Sequence, residues 1–455
     1  MYKIVWSVSE KMKRFFSNED LKKLIVPLII DQFLQAFVGL ADSIMVASVG
    51  EAAVSGVSLI DTVMVLIINI FTALATGGAV IAGQFIGKQK EAEACKATNQ
   101  LLLFTVKASV VVMALGYLGR NVILHGIFGK IDADVMYNCN IYLLIVFASI
   151  PMIAVYNAGA AIFRSMGNST IAMITSLIMN AVNLGGNAVL IYGCHRGIEG
   201  VAIPTLVSRC VAAAIILVLL NNQSRQIHIF HPFSFHTDWN LLKKILYIGI
   251  PNGLENSMFQ LGKILVLSLV STFGTYAIAA NAVSNAIALF QILPGMAISL
   301  AITTVISQCV GANDYEQVHY YLKKLLAIIY VAMVGTVALI FLALPLILKA
   351  YNLSDQTAAA ATNIIHFHGI SAMIIWPLSF ALPAAYRAAG DAKACMYTSI
   401  VSMWIFRIGF SYLVGKYMGL GVFGVWVAMV IDWVVRAICF IIRYFNGKWK
   451  HGAIV

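Results

Sequence analysis

The chain has 455 residues, of which 61% are hydrophobic and only 11% charged, and its net charge is 30 − 19 = +11. A water-soluble globular chain carries about 25% charged residues, so an ordinary soluble enzyme or nucleic-acid-binding domain is excluded, and the surplus of Lys and Arg reads as membrane topology. The apolar runs are long and continuous, which selects helices spanning about 30 Å of hydrocarbon over a barrel of alternating segments of about 10 residues.

Met1 to Lys23 is mixed and charged, and the apolar run after it is too long for a cleavable signal. Hydropathy and helix breakers then place spans near 24–49, 54–83, 98–118, 138–163, 169–193, 200–221, 245–273, 277–307, 325–348, 358–386, 394–415 and 422–445. The expected fold is all-α and integral to the membrane, with twelve helices in two pseudo-symmetric six-helix bundles. Asn221 to Asn240 is the longest connection, so residues 1–220 and 241–455 are expected as two lobes joined by a cytoplasmic linker, 221–240.

The first span carries Asp31, Gln35 and Asp42. Asp31 and Asp42 lie 42 − 31 = 11 residues apart, which leaves them about 20° apart on one helix face and roughly 16 Å apart along the axis. Gln35 lies close to the same stripe. Ionisable groups inside a span are expensive, so they face a wet cavity or a partner. A proton or sodium site is one reading of this stripe, and structural carboxylates bonded to neighbouring helices are the other. Asp42 favours the first; Asp31 is divided between them.

The fifth span places Asn180, Asn183 and Asn187 at i, i+3 and i+7, on one face. Amides there either coordinate a cation or substrate, or hold helices together. The seventh span carries Asn252, Asn256, Gln260 and Lys263 on one stripe, with Glu255 beside it. Lys263 is a counter-ion for an acid elsewhere, or it keeps the C-terminal cavity cationic. Asp61, Lys107, Arg209, Arg407, Asp432 and Arg436 also fall within spans and read as mainly structural.

His366 and His368 open the tenth span on different faces, which argues against a joint metal site. His228, His231 and His236 read as solvated loop residues. The seven cysteines show no CxxC spacing, so neither a zinc site nor a disulfide framework is supported. The sequence lacks a Walker loop, HExxH and GxSxG. No cofactor is expected, and no metal beyond sodium near Asp42.

A constant offset in numbering superimposes the two halves. Pro27-Leu-Ile-Ile-Asp31 meets Pro251-Asn-Gly-Leu-Glu255, and 251 − 27 = 224. Gly50 meets Gly274, Gln84-Phe-Ile-Gly87 meets Gln308-Cys-Val-Gly311, and Arg164-Ser-Met-Gly167 meets Arg387-Ala-Ala-Gly390 within one position of that offset. Six helices per half is an even number, so the halves share one orientation and are related by an axis along the membrane normal, with a cavity between them. With both termini placed inside, twenty Lys and Arg fall on inner segments; only Arg120, Lys130, Arg196, Lys349 and Lys416 fall on outer ones. That is a strong positive-inside bias.

These residues resemble the multidrug and toxic compound extrusion (MATE) family of secondary antiporters. The likeness rests on Leu40-Ala41-Asp42-Ser43-Ile44-Met45-Val46 followed by Gly50, on Gln84-Phe85-Ile86-Gly87, and on Phe163-Arg164-Ser165-Met166-Gly167-Asn168. Asn183 through Tyr192-Gly193, and Arg387-Ala-Ala-Gly390-Asp391, continue it over essentially the whole chain. The resemblance implies export of small organic compounds, often cationic drugs, exchanged for H⁺ or Na⁺ by alternating access. It implies a multi-pass protein of the cell membrane with both termini cytoplasmic, expected as a monomer meeting only substrate and lipid and no nucleic acid. It also implies that Asp42 is a coupling residue and Asn183 its polar partner. The chain departs from the family where one branch has an acid in place of Asn187. It departs again where another branch has acids on the tenth helix, which here lacks Asp and Glu between Thr357 and Arg387. Glu255 lies about one turn before that branch's seventh-helix acid. A lipid-linked precursor flippase and a membrane-embedded enzyme are the rival functions.

Overall fold

The computed structural model describes residues 14–129, 131–229, 236–450 and 453–455; Lys3, Lys11, Lys13 and Lys130 of the charge asymmetry, and His231, lie outside the described residues. Among the described residues there are helices and turns and no strand. Six helical spans form the first bundle: α1 (Asn18–Ala47), α2 (Glu51–Gly87), α3 (Glu91–Leu118), α4 (Ala133–Phe147 with Ile150–Ser165), α5 (Ser169–Gly193) and α6 (Glu199–Leu220). Six more form the second: α7 (Trp239–Ser271), α8 (Thr275–Gly311), α9 (Tyr315–Ala350), α10 (Asp355–Ala388), α11 (Ala392–Tyr417) and α12 (Gly421–Phe445).

Two spans depart from the simple apolar rod. The two parts of α4 meet at 49°, with a proline in the first turn of the second part. Proline removes a backbone donor, so a bend is cheapest there. α7 is the least apolar, because Lys243, Lys244, Glu255 and Lys263 interrupt it. Its 33 residues still reach about 50 Å, enough to cross.

The helices overrun the apolar runs at several ends. α9 begins at Tyr315, not at 325, because the Asp314 side chain caps it by accepting from the Gln317 amide at 3.0 Å. α3 begins at Glu91 instead of 98, and α8 continues to Gly311 instead of 307. Hydropathy marks the hydrocarbon-facing part, whereas a helix satisfies its own backbone and continues through polar turns beyond it.

The repeat is visible in the backbone. Gly50 and Gly274 precede α2 and α8 with φ of 135° and 100°. Gln89 and Asn313, which stand at the same offset, follow the same two helices with φ of 58° and 59°.

The lobes meet along the later turns of α2 and α8. A Cβ at Gly87 would lie 2.0 Å from the Gln308 carbonyl oxygen, and one at Gly311 would lie 2.1 Å from that of Gln84. Only glycine permits this approach in both directions. Gly77 of α2 sits equally close to α7, where a Cβ would be 2.5 Å from the Ile245 carbonyl oxygen. The buried apolar core runs continuously through this contact. All three contacts lie towards the end of the bundle at which α1 begins and α12 finishes. Towards the opposite end, the late turns of α1 and α7 and the early turns of α2 enclose a cavity between the lobes. The molecule is a V, closed at one end.

Candidate functional site

The cavity in the mouth of the V measures about 500 Å³. Asp42 and Asp61 line it from the first lobe, and Gln260 and Lys263 from the second. Asp42 accepts a hydrogen bond from Asn187 Nδ2 at 2.6 Å. Asn187 is fully buried, and its Oδ1 has no partner among the described residues. It sits where the regular helix of α5 gives way to a wider π-helical stretch at 188–193, a distortion frequent at functional sites. Asp61 accepts from the Tyr142 hydroxyl at 3.1 Å. Arg209, donating to Ser149 Oγ at 2.7 Å, is the cation behind this wall. Two carboxylates, an amide oxygen and a hydroxyl beside a wet cavity suit a proton or a hard cation such as Na⁺.

The other first-lobe residues fall elsewhere. Asn183 donates to Thr205 Oγ1 at 3.1 Å, so the amide that meets Asp42 is Asn187 and not Asn183, the partner that the resemblance implied. The spacing put both amides on one face of α5, but only the last turn of that face meets Asp42. Asn180 is half-buried, with its Nδ2 unpartnered among the described residues. Asp31 is 5% exposed and accepts from Gln35 Nε2 at 2.9 Å. Asp31 is buried, Gln35 is exposed, and neither lines the mouth.

A second cavity of about 380 Å³ lies within the C-terminal lobe, lined from α7, α8, α10, α11 and α12. Glu255 and Asn256 line it, and Lys263 belongs to both cavities. Glu255 is held between Arg387 Nη1 and Arg436 Nη2, each at 3.4 Å. Lys263 and Arg407 stand over the Phe259 ring at 5.3 and 4.9 Å, and Arg436 stands over Phe380 at 4.4 Å. His368 is buried, its Nδ1 2.5 Å from Gln291 Oε1. His366 instead bonds the Thr362 carbonyl at 2.9 Å, so the two histidines have separate surroundings.

Three residues read from the sequence as structural thus line cavities: Asp61, Arg407 and Arg436. The signal was available. In-span charges include Asp31, Asp42 and Asp61 against Lys107 and Arg209 in the first half, and Lys263, Arg407 and Arg436 against Glu255 and Asp432 in the second, a small excess of opposite sign in each. Lys107, donating to Thr237 Oγ1 at 3.1 Å, and Asp432, accepting from Ser402 at 2.5 Å, make bonds of the structural kind expected of them.

The description of the MatE family matches residues 27–189 and again 251–413, two segments offset by 251 − 27 = 224, the register of the internal repeat. The chain is 28% identical to the uncharacterized transporter YisQ of Bacillus subtilis, over 94% of each chain. It is 24% identical to the probable multidrug resistance protein NorM of Thermotoga maritima, over 96% of this chain and 94% of that one. Its fold matches that of a MOP superfamily transporter from Pyrococcus furiosus, described as having a binding pocket of reverse polarity, with a TM-score of 0.88, 22% identity and coverage of 95% and 96%. With a duplicated six-helix unit, a cavity between the halves and the family description matching each half, the chain belongs to the MatE family of multidrug efflux transporters and is a multi-pass membrane protein.

Proposed function

We propose that this transporter exports a small organic compound in exchange for H⁺ or Na⁺ by rocking two lobes, residues 1–220 and 241–455 joined by 221–240, about the membrane centre. The observation that carries this reading is the 2.6 Å contact of Asp42 with Asn187 on the wall of the inter-lobe cavity, with Asp61 on the same wall. The excess of Lys and Arg supports a cytoplasmic placement of the closed end and of both termini in the cell membrane. The mouth holding Asp42 then faces outward, ready to take an ion from outside.

Closing that mouth withdraws two carboxylates from water at a cost of several kcal/mol, and a bound proton or sodium ion lowers that cost. The ion-loaded first lobe therefore closes outside and opens inside, where the ion leaves and cargo enters. Exchange requires that ion and cargo favour opposite steps of the cycle, a coupling free energy between two sites. Short connections leave little room for a soluble catalytic cluster, which sets the enzyme reading aside. The monomer is the transporting unit in this scheme, because each lobe pair contains a complete mouth.

Purified protein in liposomes tests the proposal. An inward pH or Na⁺ gradient is expected to drive cargo uphill, and Asp42→Asn to leave cargo moving only downhill. Cargo movement indifferent to both gradients would sink the exchange reading.

A further inference from the structure

The two cavities differ in charge balance. The mouth sets Asp42 and Asp61 against Lys263 and the Arg209 behind its wall, 2 − 2 = 0, whereas the C-lobe cavity holds Lys263, Arg387, Arg407 and Arg436 against Glu255. Counting Asp432, buried near Arg407, the C-lobe site keeps a formal excess of 4 − 2 = +2 cations. Among the described residues neither Lys263 nor Arg407 has an ion-pair partner. Arg436 is 2% exposed, and its Nε has no hydrogen-bond partner.

The aromatic lining alone would be compatible with a cationic drug, since ring faces attract cations. Here the faces of Phe259 and Phe380 already carry the protein's own Lys263, Arg407 and Arg436. A cationic guest would find those two rings occupied, a carboxylate already shared by two arginines, and indole rings standing among four cations of its own sign. What remains is mainly apolar and aromatic, Trp376, Trp426, Trp433 and Met429, with the neutral amides of Asn256 and Asn285.

We propose that the C-lobe cavity binds an aromatic organic anion, a flat ring bearing a carboxylate or sulfonate, as the cargo of the transporter. This rests on the export reading above and departs from its expectation of cationic cargo. Guanidinium groups recognise such an anion by charge-assisted, bidentate hydrogen bonds, and the indole rings of Trp426 and Trp433 on the same wall offer apolar surface to its flat face. Cargo and coupling ion then occupy separate sites, so exchange depends on the rocking of the lobes and not on competition for one charge. A lipid-linked diphosphate shares the anionic chemistry, but the indole-lined wall favours a flat guest over a prenyl chain.

The full chain in nanodiscs is titrated with 2-naphthoate and with 2-naphthylmethylammonium, which share a ring and differ in charge. Naphthoate is expected to bind at least tenfold tighter, and Lys263→Gln and Arg407→Gln each to weaken it about tenfold. Neither variant touches the buried Glu255 cluster, so both are expected to fold. Ammonium binding as tightly as naphthoate, no binding of either, or naphthoate binding unchanged in both variants would overturn the assignment. So would farnesyl diphosphate binding more tightly than naphthoate. Transport in liposomes separates the two readings. Naphthoate bound but unmoved by any gradient defeats exchange and keeps the site; ammonium driven uphill by protein that does not bind naphthoate defeats the site and keeps exchange.

Discussion

Gln84 and Gln308, counterparts in the repeat, make the same hydrogen bond in opposite directions across the lobe interface. Gln84 Nε2 donates to the Ala388 carbonyl at 2.9 Å, and Gln308 Nε2 donates to the Ser165 carbonyl at 2.7 Å. Each acceptor directly follows an arginine of the repeat, Arg387 or Arg164. The duplicated Gln-x-x-Gly segment therefore builds a two-fold clasp that holds one end of the V shut.

Gly87→Ala tests the clasp. Its new methyl meets the backbone oxygen of Gln308, which cannot yield as a side chain would. Overpacking of this kind costs about 1–3 kcal/mol, enough to shift the balance of two conformations about tenfold or more. Spin labels at the exposed Lys90 and Glu316 are expected to move apart in the variant. Gln84→Ala should act in the same direction but weakly, since a membrane interhelical hydrogen bond averages about 0.6 kcal/mol. Unchanged distance distributions in Gly87→Ala would mean that the clasp does not set the conformation.

Asp42 and Asp61 share one cavity and are expected to act as one ion site. Asp42→Asn and Asp61→Asn should each lower gradient-driven transport by about tenfold or more, and the double variant should lose little further, as expected of residues acting as a unit. Full coupling in Asp61→Asn would return that residue to a structural role beside Tyr142. Liposome flux under a fixed gradient is the measurement.

Asn187 and Asn183 should separate cleanly. Removing the Asn187 amide leaves Asp42 without its 2.6 Å donor, a charge-assisted bond of about 1.5–3 kcal/mol. Asn187→Ala is expected to impair coupling strongly. Asn183→Ala loses only the bond to Thr205 and should keep the ion dependence of transport. Equal losses in the two variants would contradict the geometry.

Glu255 binds two arginines, while its repeat counterpart Asp31 accepts from Gln35 and has no ion pair among the described residues. Glu255→Gln leaves Arg387 and Arg436 without their carboxylate, and breaking a buried pair costs about 3–5 kcal/mol. Asp31→Asn keeps a neutral acceptor for Gln35 and removes no direct ion pair. In detergent, the melting temperature is expected to fall clearly more for Glu255→Gln than for Asp31→Asn. The opposite order would show that Asp31 carries the greater structural burden.

Much was legible in the chain alone. Span number and repeat register both follow from lipid's intolerance of polar groups and from the position of Pro, Gly, Gln and Arg, which local backbone chemistry dictates. The periodicity of α1 put Asp31 and Asp42 on one stripe, and that of α5 aligned Asn180 with Asn183 and Asn187. Periodicity names a face but not what the face meets. Only the packing of α5 against α1 and α6 gave Asn187 to Asp42 and Asn183 to Thr205. Only the meeting of α7 with α11 and α12 brought Lys263, Arg407 and Arg436 around one cavity, from three helices far apart in the chain. The closed end was likewise decided in three dimensions. Glycines at Gly87 and Gly311 permit two backbones to touch, but whether they do so depends on a balance between conformations of similar energy, which no local stretch of sequence encodes.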